Sequence, residues 1–372
     1  MLKGVRVIDF SQYLPGPYAT LRLADKGAEV IKVESPTGDP LRFPPEIDQG
    51  DKYIFRAQNR DKKSISLNLK DSNDQRIARE LIKESDVVLE SFRPGVAKRL
   101  GIGYEDIAKE KPDIIYCSLS GYGQKGVMSQ LGSHDINYMA LSGALSQLKD
   151  HEGVPVHPSN TFADLIGGIA ASESISTALF HRERTGNGSY LDLALADVML
   201  TMMTNHVILE SATGEQTGIS KLNKEVICYY LYETKDGRYI SLGALEPKFW
   251  ENFCYALNKM EWIPAHLTKP SENNPSFQEV KKLFRNHTFS EWTQFAANVD
   301  CCMAPVLETG EIQSHPYFQE RHLIEEKWGL RYVSTLYKSE SILKHSSPAP
   351  KHGEHTKELI AKLNEKEYKK KF

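Results

Sequence analysis

The sequence predicts an α/β protein: a large doubly wound domain built on a parallel sheet, followed by a smaller α+β domain. Three observations carry this expectation. The chain opens with strand, helix and strand within about thirty residues, the spacing of a βαβ unit with a right-handed crossover. Strand and helix patterns then alternate as far as residue 119. A polar, glycine-containing, unperiodic stretch at 211–225 reads as a linker, and a hairpin pattern with helices follows it. The large domain is expected over 1–210 and the small one over 226–325.

Composition narrows the function classes. With 372 residues the chain is long enough for two domains with full cores. Hydrophobic residues make up 40% and charged residues 26%, as in a soluble globular protein. A net charge of −3 supplies no global field for nucleic acid or an anionic membrane, so any anion site is local. The five cysteines (Cys117, Cys228, Cys254, Cys301, Cys302) are odd in number and scattered without a CxxC pair. That pattern points to a reducing compartment and away from a disulfide framework or a metal site. The opening MLKGVRVIDF enters a strand pattern with no signal-peptide core, and no apolar run approaches the ~18 residues of a membrane span. The closing KEYKKKF is not a peroxisomal address of the S-K-L type, so the expected location is cytoplasmic.

Taken in order, Val5, Val7, Ile8 and Phe10 form a buried strand closed by QYLPGP. A helix over 18–26 follows, with Leu21, Leu23 and Ala24 on its apolar side and Gly27 as its stop, and then a strand over 29–34. A nicotinamide enzyme is not expected. The turn holds only Gly16 between two prolines, and Glu34 alone, near where a ribose-binding acid would lie, does not replace the missing GxGxxG. Further strands are expected over 64–69, 86–92 and 113–119, with helices over 74–83 and 104–109. Ligands bind such sheets at the carboxyl ends of the strands. Two basic stretches are taken to lie there, NRDKK before one strand and SFRPGVAKR after another. Lys62, Lys63, Arg93 and Arg99 would hold phosphates, with Asn59 beside them and Phe92 available to stack on a base or line a channel. The alternative is that these are ordinary solvated loop cations.

The stretch 131–168 concentrates the chemistry. His134 and Asp135 stand at the mouth of an apolar helical run, 136–145, and Asp164 opens an Ala/Gly/Ser-rich run, 163–178. Apolar surroundings disfavour a charged carboxylate, so Asp164 would hold its proton nearer neutrality, and a His facing it would complete a general acid/base pair. The alternatives are a helix-capping role for Asp164 and a structural histidine.

After a tight turn at 186–188, a strand over 190–197 leads into a Met-rich segment, 198–209, that fills core or a subunit interface. In the small domain two strands, 227–234 and 236–244, are joined by a Lys-Asp-Gly turn. Helices follow over 248–260 and 276–287, and the segments 289–300 and 304–318 complete the domain. Glu246, just before Pro247, reads as an acid at a helix start. The tail from about 330 is polar and Lys-rich, closing in a helix over 355–371.

Several of these stretches, kept in order and spacing from residue 1 to about 325, carry a resemblance. They are VIDFSQYLPGPYATLRLADKGAEVIKVE, NRDKKSISL, SFRPGVAKRLGIGYEDI, YCSLSGYGQKG, HDINYMALSG, NTFADLIGG, GNGSYLDLALAD and GALEPKFW. Together they resemble the family III CoA-transferases and, within that fold, the branch containing α-methylacyl-CoA racemase.

The resemblance implies an interlocked homodimer whose large domain is completed by 326–372. It implies an acyl-CoA substrate, with no cofactor beyond the coenzyme A of the thioester. The expected reaction is 1,1-proton transfer at the α-carbon of a 2-methyl-branched acyl-CoA, with His134 and Asp164 as the two bases. Asp135 would fix the imidazole or the helix start. Glu246 would reach the partner subunit's site or brace the histidine. The amides of Asp164 and Leu165 would stabilise the enolate, each worth about 3 kcal/mol. Tyr138 is counted with the CoA contacts, and Met139 with 199–203 would line the acyl chain. In the transferase branch the same second Asp is a nucleophile and the His is typically absent, so His134 favours the racemase; transfer of CoA to a carboxylate is the rival. A CoA-ester binding protein without catalysis is the third reading. One departure stands out: Ser35 occupies the position where the family often carries a phosphate-binding Arg, with Arg42 nearby but not equivalent.

Overall fold

A computed structural model describes residues 1–43, 50–150, 152–216, 218, 225–334 and 347–371. The chain divides into two compact units, Met1–Met203 with Arg321–Phe372, and Thr204–Glu320.

The first unit begins β1 (Arg6–Phe10), α1 (Pro15–Asp25), β2 (Glu29–Glu34), α2 (Asp51–Gln58) and β3 (Lys62–Ser66). It continues α3 (Ser72–Lys83), β4 (Val87–Glu90), α4 (Val96–Arg99), α5 (Tyr104–Glu110) and β5 (Ile115–Ser120). Then come α6 (Asp135–Leu141), α7 (Phe162–Thr185), β6 (Ser189–Ala194) and α8 (Leu195–Thr201). The six strands form one parallel sheet in the order β3-β2-β1-β4-β5-β6. The chain reverses direction across the sheet between β1 and β4, so the loops that follow these two strands part there and leave a crevice at the carboxyl edge. The central strands read as continuous apolar runs because both faces are covered. Val7, Val30, Leu89 and Cys117 pack under α1, α7 and α8, while Ile8, Val33, Val88 and Tyr116 pack under α3 and α5.

Prolines explain why this strand order does not come with a dinucleotide site. Pro15 and Pro17 lie in the first turn of α1 and donate no amide, and the Tyr18 amide bonds to the Leu14 carbonyl at 3.0 Å. A pyrophosphate would meet a helix start stripped of most of its donors.

Helix α7 is 24 residues long and buries Ala163, Gly167, Gly168, Ala171 and Ala178. Small side chains let it approach α1 closely. A Cβ on Gly168 would lie 2.7 Å from the Pro15 carbonyl oxygen and 2.9 Å from Tyr18 Cδ1. A Cβ on Gly167 would meet only the end of the Leu195 side chain.

The second unit comprises α9 (Thr204–Thr213), β7 (Tyr229–Glu233), β8 (Tyr239–Gly243), α10 (Pro247–Ala256), α11 (Pro275–Asn286), α12 (Phe289–Asn298), β9 (Met303–Pro305), α13 (Thr309–Ile312) and α14 (Pro316–Glu320). Its core stacks Tyr232 on Phe284 and Phe284 on Trp292, with centroids 4.4 and 4.2 Å apart. The expected hairpin is present, turning at Gly237 with φ +72. A third strand, β9, adds to β8 through Pro305 opposite Ile240, at the sheet edge where a missing amide is tolerated. The expected Met-rich segment is two helices, α8 and α9. The expected linker begins inside α9, and its residues 217 and 219–224 lie outside the described residues.

Chain 321–371 returns to the first unit as a hairpin, β10 (Ile324–Lys327) and β11 (Leu330–Val333), and a helix, α15 (Thr356–Lys371). Leu359 and Leu363 of α15 are buried against the α3 side of the sheet. The segment leading into α15 closes the open edge of β3: the His355 amide bonds to the Ser64 carbonyl at 2.9 Å, and the Ser66 amide to Thr356 Oγ1 at 3.0 Å. Among the described residues no helix is long and apolar enough to cross a membrane.

Candidate active site

Two helix starts bring the central residues together. His134 is the N-cap of α6, extended at φ −130 and ψ 175, with its side chain exposed. Its backbone amide bonds to Asn137 Oδ1 at 3.0 Å, which fixes the turn. Asp135 is the first residue of α6, and its Oδ1 accepts the Asp164 amide at 2.9 Å. Asp164 is the third residue of α7, whose own N-cap, Thr161, makes no side-chain cap. Asp135 therefore caps the neighbouring helix. Its described bond goes to the first turn of α7.

The Asp164 carboxyl is pushed up to about 7, first by burial and then by the negative charge of Asp135. A carboxyl poised there can hold or release a proton near neutrality. The expected enolate donors require a correction. The Asp164 amide is taken by Asp135, and the Leu165 amide by the Thr161 carbonyl at 3.1 Å. Both are engaged, the first by Asp135 of α6 and the second within the first turn of α7.

Tyr138 also departs from expectation. It is buried, donates its hydroxyl to the Ser133 carbonyl at 3.0 Å, and meets Tyr122 edge-on with centroids 5.5 Å apart. Burial raises its phenol, the Ser133 bond opposes this, and the charges of Asp164 and Asp135 add to the rise. It lies buried beside the segment that leads into α6. Met139 and Met199 belong to the core, leaving Leu200 and Met202 of the expected acyl-lining run exposed.

The basic residues divide. A loop that precedes a parallel strand lies at that strand's amino end. The register pairs Lys62 with Val30, and Val30 with Val7, at the start of the sheet. Lys62 and Lys63 are therefore at the opposite edge from Arg93 and not beside it. Lys62 is fully buried, bonding to Pro17 O at 2.9 Å, Thr20 Oγ1 at 2.8 Å, Asn59 Oδ1 at 2.9 Å and Asp9 Oδ2 at 3.3 Å. Burial pushes its ammonium down to about 8, with Asp9 pulling the other way. Burial would raise Asp9, but Lys62 and Lys32 hold that carboxyl below its ordinary range. Asn59 is buried in the same network, and its amide nitrogen bonds to the Phe55 carbonyl at 3.0 Å. Lys63 is half-buried on Glu29 at 2.9 Å. Asn59 and Lys62 are thus engaged in one buried network and Lys63 on Glu29, an arrangement the sequence does not announce because a buried lysine and a loop lysine look alike there.

Arg93 and Arg99 are exposed at the carboxyl edge, next to the half-buried Phe92, and among the described residues neither makes an ion pair. Arg93 reaches the segment before His134: a Cβ on Gly132 would lie 2.9 Å from Arg93 Nη2. Arg42 does not stand in for the arginine absent at Ser35. It is held on Glu34 at 2.6 and 2.7 Å and lies 3.9 Å above the Phe55 ring. Glu246, in the second unit, is exposed as the N-cap of α10.

Residues 2–356 match the family model described as CoA-transferase family III. The chain is 33% identical to the α-methylacyl-CoA racemase of Homo sapiens, over 96% of this chain and 92% of that protein. It is 32% identical to the succinyl-CoA:glutarate CoA-transferase of Mus musculus, over 97% of this chain and 86% of that protein. The fold is similar to the crystal structure of a CaiB/BaiF family protein from Brucella suis, with a TM-score of 0.86, 26% identity, and coverage of 97% of this chain and 99% of that one.

Proposed function

Because the chain belongs to CoA-transferase family III, we propose that it is an acyl-CoA racemase or epimerase acting on a 2-methyl-branched acyl group. The observation that carries this reading is Asp164, a carboxyl pushed up to about 7, capped by Asp135 while His134 heads the adjoining helix. A proton donor and acceptor work best with a pKa near the working pH, whereas a carboxylate nucleophile needs only to be ionised. Two bases on two separate helices suit removal of a proton from one face of a carbon and delivery to the other.

In this mechanism one member of the pair takes the α-proton, and the electron pair moves into the thioester carbonyl as an enolate. The other member returns a proton to the opposite face, so the product has the same atoms and the inverted centre. Asp135 holds Asp164 in place and keeps its proton affinity high. In this reading Glu246 serves the site of the partner subunit in a homodimer. The anionic end of coenzyme A lies near Arg93 and Arg99, with Phe92 beside them, and the thioester supplies the only coenzyme.

A CoA-transferase is the second reading, favoured by the similarity to the succinyl-CoA:glutarate enzyme. There Asp164 attacks the thioester carbonyl, CoA leaves as the thiolate, and an acyl-aspartyl anhydride forms. One experiment separates the two. A single enantiomer of a 2-methylacyl-CoA is incubated in heavy water with a carboxylate acceptor. Deuterium at the α-carbon with loss of optical activity supports the racemase. A new thioester without deuterium overturns it in favour of the transferase.

A further inference from the structure

Glu90, Ser118 and Asp192 stand in one register row across β4, β5 and β6 at the carboxyl edge. Strand alternation places the row on the same face as Val88 and Tyr116, opposite α7, so it takes no direct part in proton transfer at Asp164. Its two carboxyls share a geometry. Glu90 ends β4 at 2% exposure, and its Oε2 accepts the Phe92 amide at 2.7 Å. Asp192 accepts the Gln124 amide on both oxygens, each at 3.1 Å. Between them, Tyr190 donates its hydroxyl to Ser118 Oγ at 3.3 Å, and Tyr104 stacks on Tyr190 with centroids 4.5 Å apart. Each acid thus holds the first turn of a loop leaving the sheet, one carrying Arg93 and the other following β5.

Burying a carboxyl is costly, and Glu90 has no cation partner among the described residues. Burial pushes it up to about 7, against the bonds from Ser118 and the Phe92 amide, with the Asp192 charge adding to the rise. An apolar residue would fill the space without that cost, so the acceptor itself is what the position supplies. The turn it holds is also tied to the loop after β1, where the Gln12 amide bonds to Ser91 Oγ at 3.3 Å. These are the two loops that flank the crevice between β1 and β4.

We propose that Glu90 and Asp192 are positioning residues for acyl-CoA binding, holding the Ser91–Arg93 and Gly121–Gln124 turns so that Arg93 meets the anionic end of coenzyme A. The proposal rests on the acyl-CoA reading of the site. It predicts effects on affinity rather than on the chemical step, because the row touches loops and not the reacting carbon.

The test titrates free coenzyme A into the full chain by calorimetry, with KM, kcat and melting temperature measured alongside. Glu90→Ala and Asp192→Ala are expected to weaken coenzyme A binding about tenfold and to raise KM while kcat changes little. Glu90→Gln and Asp192→Asn keep an acceptor oxygen and are expected to restore most of the affinity. If Glu90→Ala does not fold, the exposed Asp192→Ala decides alone. Unchanged coenzyme A affinity in Asp192→Ala, or loss of kcat with unchanged KM, overturns the proposal. If the wild-type chain itself fails to bind coenzyme A, the acyl-CoA reading falls and the proposal with it.

Discussion

Asp135 grips Asp164 through the backbone and perturbs it through the side chain: its carboxylate accepts the Asp164 amide at 2.9 Å and raises the Asp164 carboxyl by like charge. The two effects are separable by substitution. Asp135→Asn keeps an acceptor for the amide and removes the charge. The pH–rate profile is expected to move to lower pH, while Asp164 stays above its ordinary 3.8 because burial is the larger cause. Asp135→Ala removes the cap as well and is expected to cost about 1 kcal/mol, read as a lower melting temperature. An unmoved profile in the Asn variant would show that the charge of Asp135 is not felt at Asp164.

Proton transfer by a pair needs one proton shared between Asp164 and His134. Under the racemase reading, rates with both enantiomers share one bell-shaped pH profile and fall together on either side of it. The transferase reading gives an acid limb near 7, set by the Asp164 carboxyl, and then a plateau. In His134→Ala, deuterium exchange is expected to persist from one enantiomer only; equal loss from both would argue against separate bases.

Stability carries the same group's signature with a fixed sign. Asp164 titrates at about 7 in the native state against an ordinary 3.8, so between these values the folded chain keeps a proton that the unfolded chain has released. Its contribution is fully present below 3.8 and is lost as pH rises through about 7. Asp164→Asn should flatten that part of the stability curve, measured by urea denaturation at several pH values. A slope as steep as that of the wild type would assign it to other groups.

Gly167 and Gly168 differ in what a methyl group would meet. Gly168→Ala drives a Cβ to 2.7 Å from the Pro15 carbonyl, so α1 and α7 must part. The expected cost is about 1–3 kcal/mol with a clear fall in kcat, since Asp164 lies one turn away. Gly167→Ala displaces only the tip of Leu195 and should be the milder change. Equal melting temperatures for the two would contradict this reading of the contact.

Lys62 and Arg93 should separate cleanly. Lys62→Ala leaves Asp9 without its nearest cation in the interior and is expected to destabilise by about 3–5 kcal/mol. Arg93→Ala should leave the melting temperature unchanged and raise KM for the acyl-CoA. Denaturation and steady-state kinetics on the two variants give the answer.

That contrast marks what was legible in the sequence. The alternation of β1 to β5 was readable because strands buried on both faces are continuous apolar runs. Polar residues at the starts of apolar helices marked HDINY and ADLIGG, and the resemblance rather than that pattern made them a pair. Three-dimensional placement was not readable in the same way. Lys62 begins a strand and Arg93 follows one, and only the parallel topology sends the first to the amino edge and the second to the carboxyl edge. The β10–β11 hairpin was missed for a different reason. Its turn puts Trp328 at φ +52 before Gly329 at φ +72, a left-handed pair that usually announces itself with Asn or Asp in place of Trp. Glu90 gave only a faint signal, an acid closing the apolar run VVLE.

The seam formed by Ser64, Ser66, His355 and Thr356 has a consequence for biogenesis. The whole second unit, Thr204–Glu320, is synthesised between β3 and the segment that covers its edge. During translation the outer rim of the sheet therefore stays unpaired, and the ground beneath Leu359 and Leu363 stays bare, until α15 leaves the ribosome. An exposed strand rim is a template for pairing with another nascent chain. The interval between making β3 and sealing it is the period in which a chaperone would be of most use to this protein.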